Sequence, residues 1–248
     1  MSWTLARLRP GDPFPAPEQA LPAGAPYPGL LAVGGRLDAA ALREAYAHGI
    51  FPWFGEDEPP LWWSPDPRMV LVPAELRVSR SLRRAARRFA DDPRCSLYID
   101  GDFEQVMRAC AAPRAGAPGT WIGADIVAAY VGLHREGLAH SFELRRDGEL
   151  LAGLYVVALG AAVFGESMFT RVTDGSKVAL MALCGFALAH GLRFVDCQQQ
   201  TAHLSSLGAR PWPRDAFLRA LEQSRTLPGP PCWQYDWTQF RQHCAAWL

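Results

Sequence analysis

A long apolar helix pattern at residues 176–190 is the feature that most constrains how this chain can fold. The pattern is apolar on nearly every side, so the helix must be buried by neighbours on several sides. Gly191 follows it as a typical C-terminal glycine, and an apolar strand pattern begins directly afterwards at residue 192 and runs to residue 198. With 248 residues, nearly half of them apolar, the chain can enclose a substantial core.

The segments before this helix read as helices followed by strands. Ser79, Asp102 and Asp125 begin three predicted helices. Three strand patterns follow, at residues 140–146, 150–159 and 161–169. The turn Asp147-Gly148 between the first two is a typical hairpin signal. Helix, antiparallel meander, buried helix and parallel strand, in that order, predict an α/β fold that resembles the N-acetyltransferases, with a mixed sheet.

The two ends of the chain have a different character. Residues 1–66 are rich in Pro, Gly and Trp and contain one clear helix, capped by Asp38 and closed by Gly49. We therefore expect a small N-terminal domain at 1–66 and a larger acetyltransferase-like domain at 67–248. A last helix is predicted from Pro213 to Glu222, and the tryptophans after Leu227 are expected to dock on the core.

Composition excludes several classes of protein. The formal net charge is zero, which argues against a general coating of nucleic acid but leaves local basic patches open. Six cysteines occur without any C-x-x-C pair, so no metal site is expected. The longest apolar stretch, residues 178–189, is too short to span a bilayer, and the N-terminus has no signal-peptide pattern. We expect a cytoplasmic monomer with no membrane partner.

One predicted helix carries an uneven distribution of charge. Leu82, Ala85, Ala86 and Phe89 share its apolar face. The opposite face carries five arginines without interleaved acids: Arg80, Arg83, Arg84, Arg87 and Arg88. Like charges on one face repel unless a polyanion neutralises them, so the pattern indicates contacts with a nucleic-acid backbone. A solubilising surface is the alternative.

The sequence also resembles a known family through an ordered series of short motifs. They are residues 29–35 (GLLAVGG), 49–54 (GIFPWF), 62–68 (WWSPDPR), 119–122 (GTWI), 165–169 (GESMF), 176–177 (SK), 196–198 (DCQ), 203 (H) and 206–209 (SLGA). Together these look like the signatures of the leucyl/phenylalanyl-tRNA–protein transferases, over about residues 10–225.

The resemblance implies a reaction and its partners. Members of that family move Leu, Phe or Met from aminoacyl-tRNA to proteins with N-terminal Arg or Lys, which marks those proteins for degradation. Their larger domain is acetyltransferase-like but uses no coenzyme A, and we expect no cofactor here. By resemblance, Trp53 and Trp121 sandwich the 3′-terminal adenine of the tRNA. An indole face suits any base. The alternative for the loop tryptophans is packing between domains, which we favour for Trp62 and Trp63.

The implied chemistry is aminolysis of an ester, which needs positioning rather than a protein nucleophile. Asp196 and Gln198 lie two apart on a predicted strand, so their side chains leave the same face, with Cys197 on the other. By resemblance, the Gln198 oxygen accepts the amine proton with help from Asp196, although a neutral amide is a poor base and orientation is the alternative. Cys197 is expected to be an inert core thiol.

Substrate binding is implied for two further groups of residues. Glu166 and Asp196 suit a cationic acceptor N-terminus, and an internal ion pair of Glu166 with Arg171 or Lys177 is the alternative. The aminoacyl pocket would consist of five apolar residues, each of which could equally be ordinary core: Leu154, Val163, Met168, Leu183 and Val195.

Three rival functions remain open from the sequence. A coenzyme-A acetyltransferase on the same fold is disfavoured by the missing Gly-rich pyrophosphate loop and by the basic helix. A transferase for acidic N-termini would need basic rather than acidic residues around the acceptor. A tRNA-binding protein without catalysis would not need Asp196, Gln198 and Glu166 together.

Overall fold

The computed structural model describes residues 4–55, 57–112 and 120–248. Gly119, the first residue of the predicted motif at 119–122, lies outside this part of the chain. The part described forms two sheets, one small and N-terminal and one large and mixed.

The large sheet has seven strands in the order β11-β5-β10-β9-β8-β7-β6. Its strands are β5 (Arg68–Leu71), β6 (Cys95–Ile99), β7 (Ala139–Arg146), β8 (Glu149–Leu159), β9 (Ala162–Thr170), β10 (Phe194–Gln198) and β11 (Arg210–Trp212). Only the central pair β9–β10 is parallel, and every other pair is antiparallel. The predicted meander β7–β8–β9 and the parallel strand after the buried helix are therefore confirmed, and with them the mixed α/β fold class.

Helices cover both faces of this sheet. They are α1 (Ala39–Ala47), α2 (Arg80–Asp91), α3 (Phe103–Ala111), α4 (Ala124–Arg135), α5 (Gly175–Ala189), α6 (Ala202–Ser206), α7 (Arg214–Arg225) and α8 (Trp237–His243). One apolar cluster joins α2, α5 and α8 to one face, and a second joins α1, α3, α4 and α7 to the other. Helix α5, predicted to be enclosed on several sides, contributes eleven buried residues.

The N-terminal sheet has four short strands in the order β1-β2-β4-β3. They are β1 (Ala6–Leu8), β2 (Leu30–Gly34), β3 (Phe51–Pro52) and β4 (Leu61–Trp63). Prolines keep these strands short, as the composition predicts. Trp62 and Trp63 are buried in the second apolar cluster, which also contains Phe164 and Phe194 of the large sheet. The packing alternative for these two tryptophans is the one observed, and the N-terminal segment shares its core with the rest of the chain.

The turn and capping signals in the sequence are confirmed. Asp38, Ser79 and Asp102 each accept a hydrogen bond from a backbone amide in the first turn of their helix. Asp147 and Gly148 both have positive φ, 50° and 82°, as a two-residue hairpin turn requires.

Three features differ from the predictions. Helix α4 begins at Ala124 after Gly123, one residue before the predicted start at Asp125. Strands β5, β6 and β11, and the short helix α6, were not predicted, because three to five residues carry too weak a periodic pattern. The last helix is α8 rather than the one after Pro213.

The C-terminal segment packs on the first apolar cluster, as expected for its tryptophans. Trp237 donates a hydrogen bond to the carbonyl of Cys95 at 3.0 Å, and Trp233 stacks on His140 with ring centroids 3.7 Å apart. Trp247 is partly buried against the same cluster. In the described residues, none of the helices combines the length and apolar character needed to cross a membrane.

The contact between α5 and the C-terminal segment predicts a sensitive glycine. A Cβ added at Gly185 would lie 2.5 Å from Cys244 Sγ and 2.8 Å from the Tyr235 hydroxyl oxygen. Gly185→Ala should therefore lower the free energy of unfolding by about 1–3 kcal/mol through overpacking. Thermal or denaturant unfolding of the two proteins measures the difference.

Gly132→Ala in α4 is the matched control, because its added Cβ would meet only the Cβ of Ala39, at 3.3 Å. It should change the unfolding free energy by no more than about 1 kcal/mol. Equal stability of Gly185→Ala and wild type would mean that the C-terminal segment does not pack closely on α5.

Candidate active site

The centre of the large sheet opens where its only parallel pair parts. Strands β9 and β10 pair from Ala162 and Phe194 as far as Phe164 and Asp196, and no further. Just beyond that point each strand has a bulge against its other neighbour. Glu166 is the unpaired residue of β9, and Cys197 is the unpaired residue of β10. Bulges redirect side chains and end pairing, and a cavity lies here, at the carboxyl end of β10.

The cavity encloses about 490 Å³ and has walls of two kinds. Its apolar wall is formed by Leu154, Val156, Met168, Leu180, Leu183 and Val195. Its other wall includes Trp121, Tyr155, Glu166, Ser167, Cys197, Thr201 and His203. An apolar cavity with a few polar groups is typical of a small-molecule site.

Four of the five residues predicted for the aminoacyl pocket lie on this cavity wall. The fifth, Val163, is fully buried before the bulge and does not line the cavity. Trp121 lines the cavity, but Trp53 does not. Trp53 is 40% exposed and packs edge-on against Trp63, with ring centroids 5.5 Å apart, so part of its side chain is accessible.

Asp196 is held in a buried ion pair with Arg68, and neither residue has exposed surface. Arg68 Nε donates to Asp196 Oδ1 at 2.8 Å, and its second nitrogen, Nη2, donates to Oδ2 at 2.6 Å. Phe51 and Phe217 lie on the guanidinium, 4.8 and 4.5 Å from its carbon to the ring centroids. The sequence predicts that Asp196 contacts the acceptor peptide directly. In the structure, such a contact would require the ion pair between Asp196 and Arg68 to open.

Gln198 is oriented at both its backbone and its side chain. Its backbone amide donates to Asp196 Oδ1 at 2.9 Å, and its φ of 63° is uncommon for a residue other than glycine. Its side-chain Nε2 donates to Glu166 Oε1 at 3.0 Å. The side-chain oxygen of Gln198 is therefore the end of the amide that is left for another donor. Cys197 lines the cavity and packs against the first apolar cluster, whereas neither Asp196 nor Gln198 is part of the cavity lining. The bulge at Cys197 interrupts the regular alternation that the sequence predicts for these three residues.

Glu166 ends a chain of hydroxyl groups that come from distant parts of the sequence. Tyr130 donates to Glu166 Oε2 at 3.0 Å, and the hydroxyl groups of Tyr46 and Tyr130 are 2.5 Å apart. Burial raises the pKa of Glu166 to about 7, against the hydrogen bonds that it accepts. Burial also raises the pKa values of Tyr46 and Tyr130, so both hydroxyl groups stay protonated.

Among the described residues, Glu166 forms no ion pair with Arg171 or Lys177, the alternative that the sequence left open. Lys177 pairs with Asp174 at 2.8 Å, and Arg171 donates to the carbonyl of Leu150. The thiol of Cys197 is inert, as expected, because burial raises its pKa to about 12.

The five arginines of α2 are all exposed, as the helical pattern predicts. Arg87 donates to the main-chain carbonyl of Leu248. Within the residues described, Arg80, Arg83, Arg84 and Arg88 have no carboxylate within salt-bridge distance. The face therefore keeps its positive charge uncompensated by the fold.

One group of metal-ligand residue types occurs elsewhere. Asp100, His134 and His140 place their ligand atoms within 4.8 Å of one another. These atoms already serve the fold, since His140 Nδ1 bonds Asp100 Oδ2 at 2.7 Å and Asp100 Oδ1 accepts from the Ser141 amide. His134 Nδ1 is likewise bonded to the carbonyl of Ala139 at 2.8 Å. The cluster ties β6 to β7 as hydrogen-bonded side chains.

Sequence reasoning missed Arg68 and three tyrosines at this site. Arg68 opens an otherwise apolar strand, which is a signal for a buried counter-ion. Tyr46 and Tyr130 occupy apolar helix faces, where a hydroxyl group needs a partner. The Tyr155 hydroxyl is buried and has no hydrogen-bond partner among the described residues, and the sequence carries no signal for this.

Comparison with known proteins identifies relatives over nearly the whole chain. A family model described as "Leucyl/phenylalanyl-tRNA protein transferase" matches residues 70–222, and one for the N-terminal domain of the same proteins matches residues 35–66. A leucyl/phenylalanyl-tRNA–protein transferase of Albidiferax ferrireducens is 53% identical over 94% of this chain and 91% of the relative. One from Cupriavidus metallidurans is 52% identical over 92% of each chain.

Solved structures show a much looser likeness. A GCN5-related N-acetyltransferase-like protein from Streptococcus suis overlaps 70% of this chain and 63% of its own, with 11% identity and a TM-score of 0.33. The C-terminal domain of a putative lysylphosphatidylglycerol synthetase from Agrobacterium fabrum overlaps 85% of this chain and 63% of its own, with 11% identity and a TM-score of 0.36. Neither likeness is close enough to bear on function.

The raised pKa of Glu166 predicts a pH-dependent effect on stability. The folded protein holds the Glu166 proton up to about pH 7, whereas an unfolded chain releases it at about pH 4.3. Between these values the folded state binds more protons, so its stability falls as pH rises. Glu166→Gln cannot ionise and should be more stable than wild type at about pH 8. The difference in unfolding free energy should be roughly 3 kcal/mol at most, because solvent screening of the Glu166 charge reduces it.

The advantage of Glu166→Gln should shrink below about pH 7 and vanish below about pH 4. Unfolding by denaturant across this pH range measures it. Glu149→Gln, at an exposed position of β8, is the control and should show no such pH dependence. A constant difference between Glu166→Gln and wild type at all pH values would contradict the raised pKa.

Proposed function

The chain belongs to the leucyl/phenylalanyl-tRNA–protein transferase family, and from that premise we propose that the cavity between β9 and β10 is its active site and that its acceptors are proteins with N-terminal Arg or Lys. The enzyme is an aminoacyltransferase that moves Leu or Phe from aminoacyl-tRNA to protein N-termini. The observation that carries the site is the cavity itself, whose lining combines a group of apolar side chains with Trp121, Glu166 and neighbouring polar groups.

The apolar wall supports binding of the donor amino acid. Leu154, Met168, Leu183 and Val195 surround a space that a leucine or phenylalanine side chain can fill without meeting a charge. Burying such a side chain contributes about 1.5–3 kcal/mol to binding. Trp121 on the same cavity and the exposed ring of Trp53 would then stack on the terminal adenine, each contact worth about 1–3 kcal/mol. Val163 belongs to the same buried apolar cluster but does not line the cavity.

The side-chain oxygen of Gln198 is the proposed acceptor for a hydrogen bond from the attacking amine. Glu166 holds the amide nitrogen of Gln198, so this oxygen can point at the amine only while that bond is kept. The amine must be neutral to attack the ester, and an α-amino group loses its proton at about pH 7.7–8.0. Orienting this group beside the ester accounts for a large part of the rate. Asp196 supports Gln198 from the buried side.

Glu166 is the proposed determinant of acceptor specificity. Its carboxylate is the acidic group on the cavity wall, and a nearby guanidinium or ammonium group would favour its charged form. An Arg or Lys at the peptide N-terminus would thus bind and ionise Glu166 together, whereas an acidic residue would be repelled. This argument favours basic acceptors over the rival reading of acidic ones.

The arginine face of α2 is the proposed contact for the body of the tRNA. Its uncompensated charges suit phosphate groups, which position a nucleic acid without reading its sequence. Methionine as a third donor, a cytoplasmic location, a monomeric state, degradation of the labelled product, and the lack of a cofactor or metal remain predictions from the sequence.

The acceptor assay tests the proposed function directly. Labelled Leu-tRNA or Phe-tRNA is mixed with the enzyme and with peptides that differ only in their first residue, Arg, Lys, Asp or Ala. Peptides beginning with Arg or Lys should gain label at least about tenfold faster than the other two. Preferential labelling of the Asp peptide would support the acidic-acceptor alternative, and no labelling at all would exclude the enzyme reading.

The salt dependence of binding tests the arginine face. The triple variant Arg80→Ala, Arg83→Ala, Arg84→Ala should bind tRNA more weakly. Its slope of log K against log salt should fall by about 2–3, because each lost phosphate contact removes roughly 0.7–0.9. Arg219→Ala, which removes an exposed arginine already paired with Asp215, is the control. An unchanged slope in the triple variant would exclude phosphate contacts at this face.

A further inference from the structure

Arg68 occupies a position that no substrate contact explains. Its side chain has no exposed surface, and its guanidinium lies over the rings of both Phe51 and Phe217. Three of its nitrogens donate hydrogen bonds within the protein, two of them to Asp196 and one to the carbonyl of Gly49 at 2.9 Å. An enclosed charge of this kind is costly unless its partners satisfy it, as they do here.

Asp196 passes the constraint from Arg68 to Gln198. Its Oδ1 accepts from Arg68 Nε and also from the backbone amide of Gln198, at 2.9 Å. That amide belongs to a residue in the left-handed backbone region, which a glutamine rarely adopts without support. The same conformation brings the side-chain nitrogen of Gln198 to Glu166. Arg68, Asp196, Gln198 and Glu166 are thus joined in one series of hydrogen bonds from the buried core to the cavity wall.

We propose that Arg68 is a positioning residue for the transfer reaction, and that Asp196 holds Gln198 in place through its ion pair with Arg68 instead of taking a proton. The proposal rests on the proposed function, because it places the reacting amine at Gln198. An arginine guanidinium does not give up its proton in a protein. Protonation of Asp196 would therefore leave an enclosed positive charge, packed against two phenylalanine rings, without its counter-ion.

The geometry of the pair, and not only its charge, is needed for this role. The planar guanidinium meets both carboxylate oxygens at once, which fixes the plane of the carboxylate and hence the direction of Oδ1 towards the Gln198 amide. A lysine ammonium would keep the charge but offers a single point of contact on a flexible chain. The two substitutions below separate the role of geometry from that of charge.

Arg68→Lys removes the two-point contact and keeps the positive charge. We expect kcat for transfer to an Arg peptide to fall at least about tenfold, while the KM for aminoacyl-tRNA stays within about twofold, because Gln198 is displaced and the donor cavity is not. Arg145→Lys is the matched control, since Arg145 also bonds an enclosed carboxylate, that of Glu143. It should lower the Tm without lowering kcat. An unchanged kcat in Arg68→Lys would overturn the proposal.

A neutral pair tests whether the charge of Asp196 takes part in the chemistry. Asp196→Asn alone leaves Arg68 enclosed without a counter-ion, so both Tm and kcat should fall. In the double variant Arg68→Gln, Asp196→Asn, the two side-chain amide groups can hydrogen-bond to each other. The single side-chain oxygen at position 196 can still accept a hydrogen bond from the backbone amide of Gln198. We expect its kcat to recover to within about tenfold of wild type. Recovery of the Tm with kcat no higher than in Asp196→Asn would overturn the proposal, and Arg68→Lys decides the matter if the double variant does not fold.

Gln198→Ala separates this proposal from the proposed function. If Gln198→Ala retains full turnover, the reaction does not take place at Gln198 and the proposed active site fails. If Gln198→Ala loses turnover while Arg68→Lys keeps it, the site stands and only the positioning role of Arg68 fails.

Discussion

The parting of β9 from β10 is the constraint on which the active site depends. Two parallel strands stay together only while their backbone groups pair, and here the pairing ends at Phe164 and Asp196. The bulges at Glu166 and Cys197 follow at once, one on each strand. Space for a substrate and side chains to act on it thus arise from the same local irregularity. A regular seven-stranded sheet would have filled this region with packed apolar side chains.

Much of the fold is visible in the sequence because its signals are local. Caps such as Asp38 and Ser79, the Asp147-Gly148 turn and the apolar α5 pattern each report on a few neighbouring residues. Short strands such as β5 and β11 were missed, since three or four residues show no reliable period. The motif resemblance supplied Glu166, Asp196 and Gln198, and the physical pattern alone would have singled out only the strand that holds the last two.

The rest of the site depends on contacts between distant parts of the chain. Arg68 and Asp196 are 128 residues apart, and Tyr46 and Tyr130 are 84 apart. No periodic pattern links such pairs, and the burial that raises the pKa of Glu166 exists only after several elements have packed around it. Val163 and Trp53 show the converse case, in which the resemblance identifies a residue but cannot say whether it lines the cavity, and neither of these two does.

The environment of Arg68 also bears on how the two parts of the chain can evolve. Two of the groups that enclose its guanidinium, Phe51 and the carbonyl of Gly49, come from the N-terminal segment, while Phe217 and Asp196 come from the larger part. In a chimera of the first 66 residues of one relative and the remainder of another, the groups that surround the buried guanidinium would therefore come from two different proteins. Such exchanges should succeed between relatives that share these groups and fail where either half has drifted.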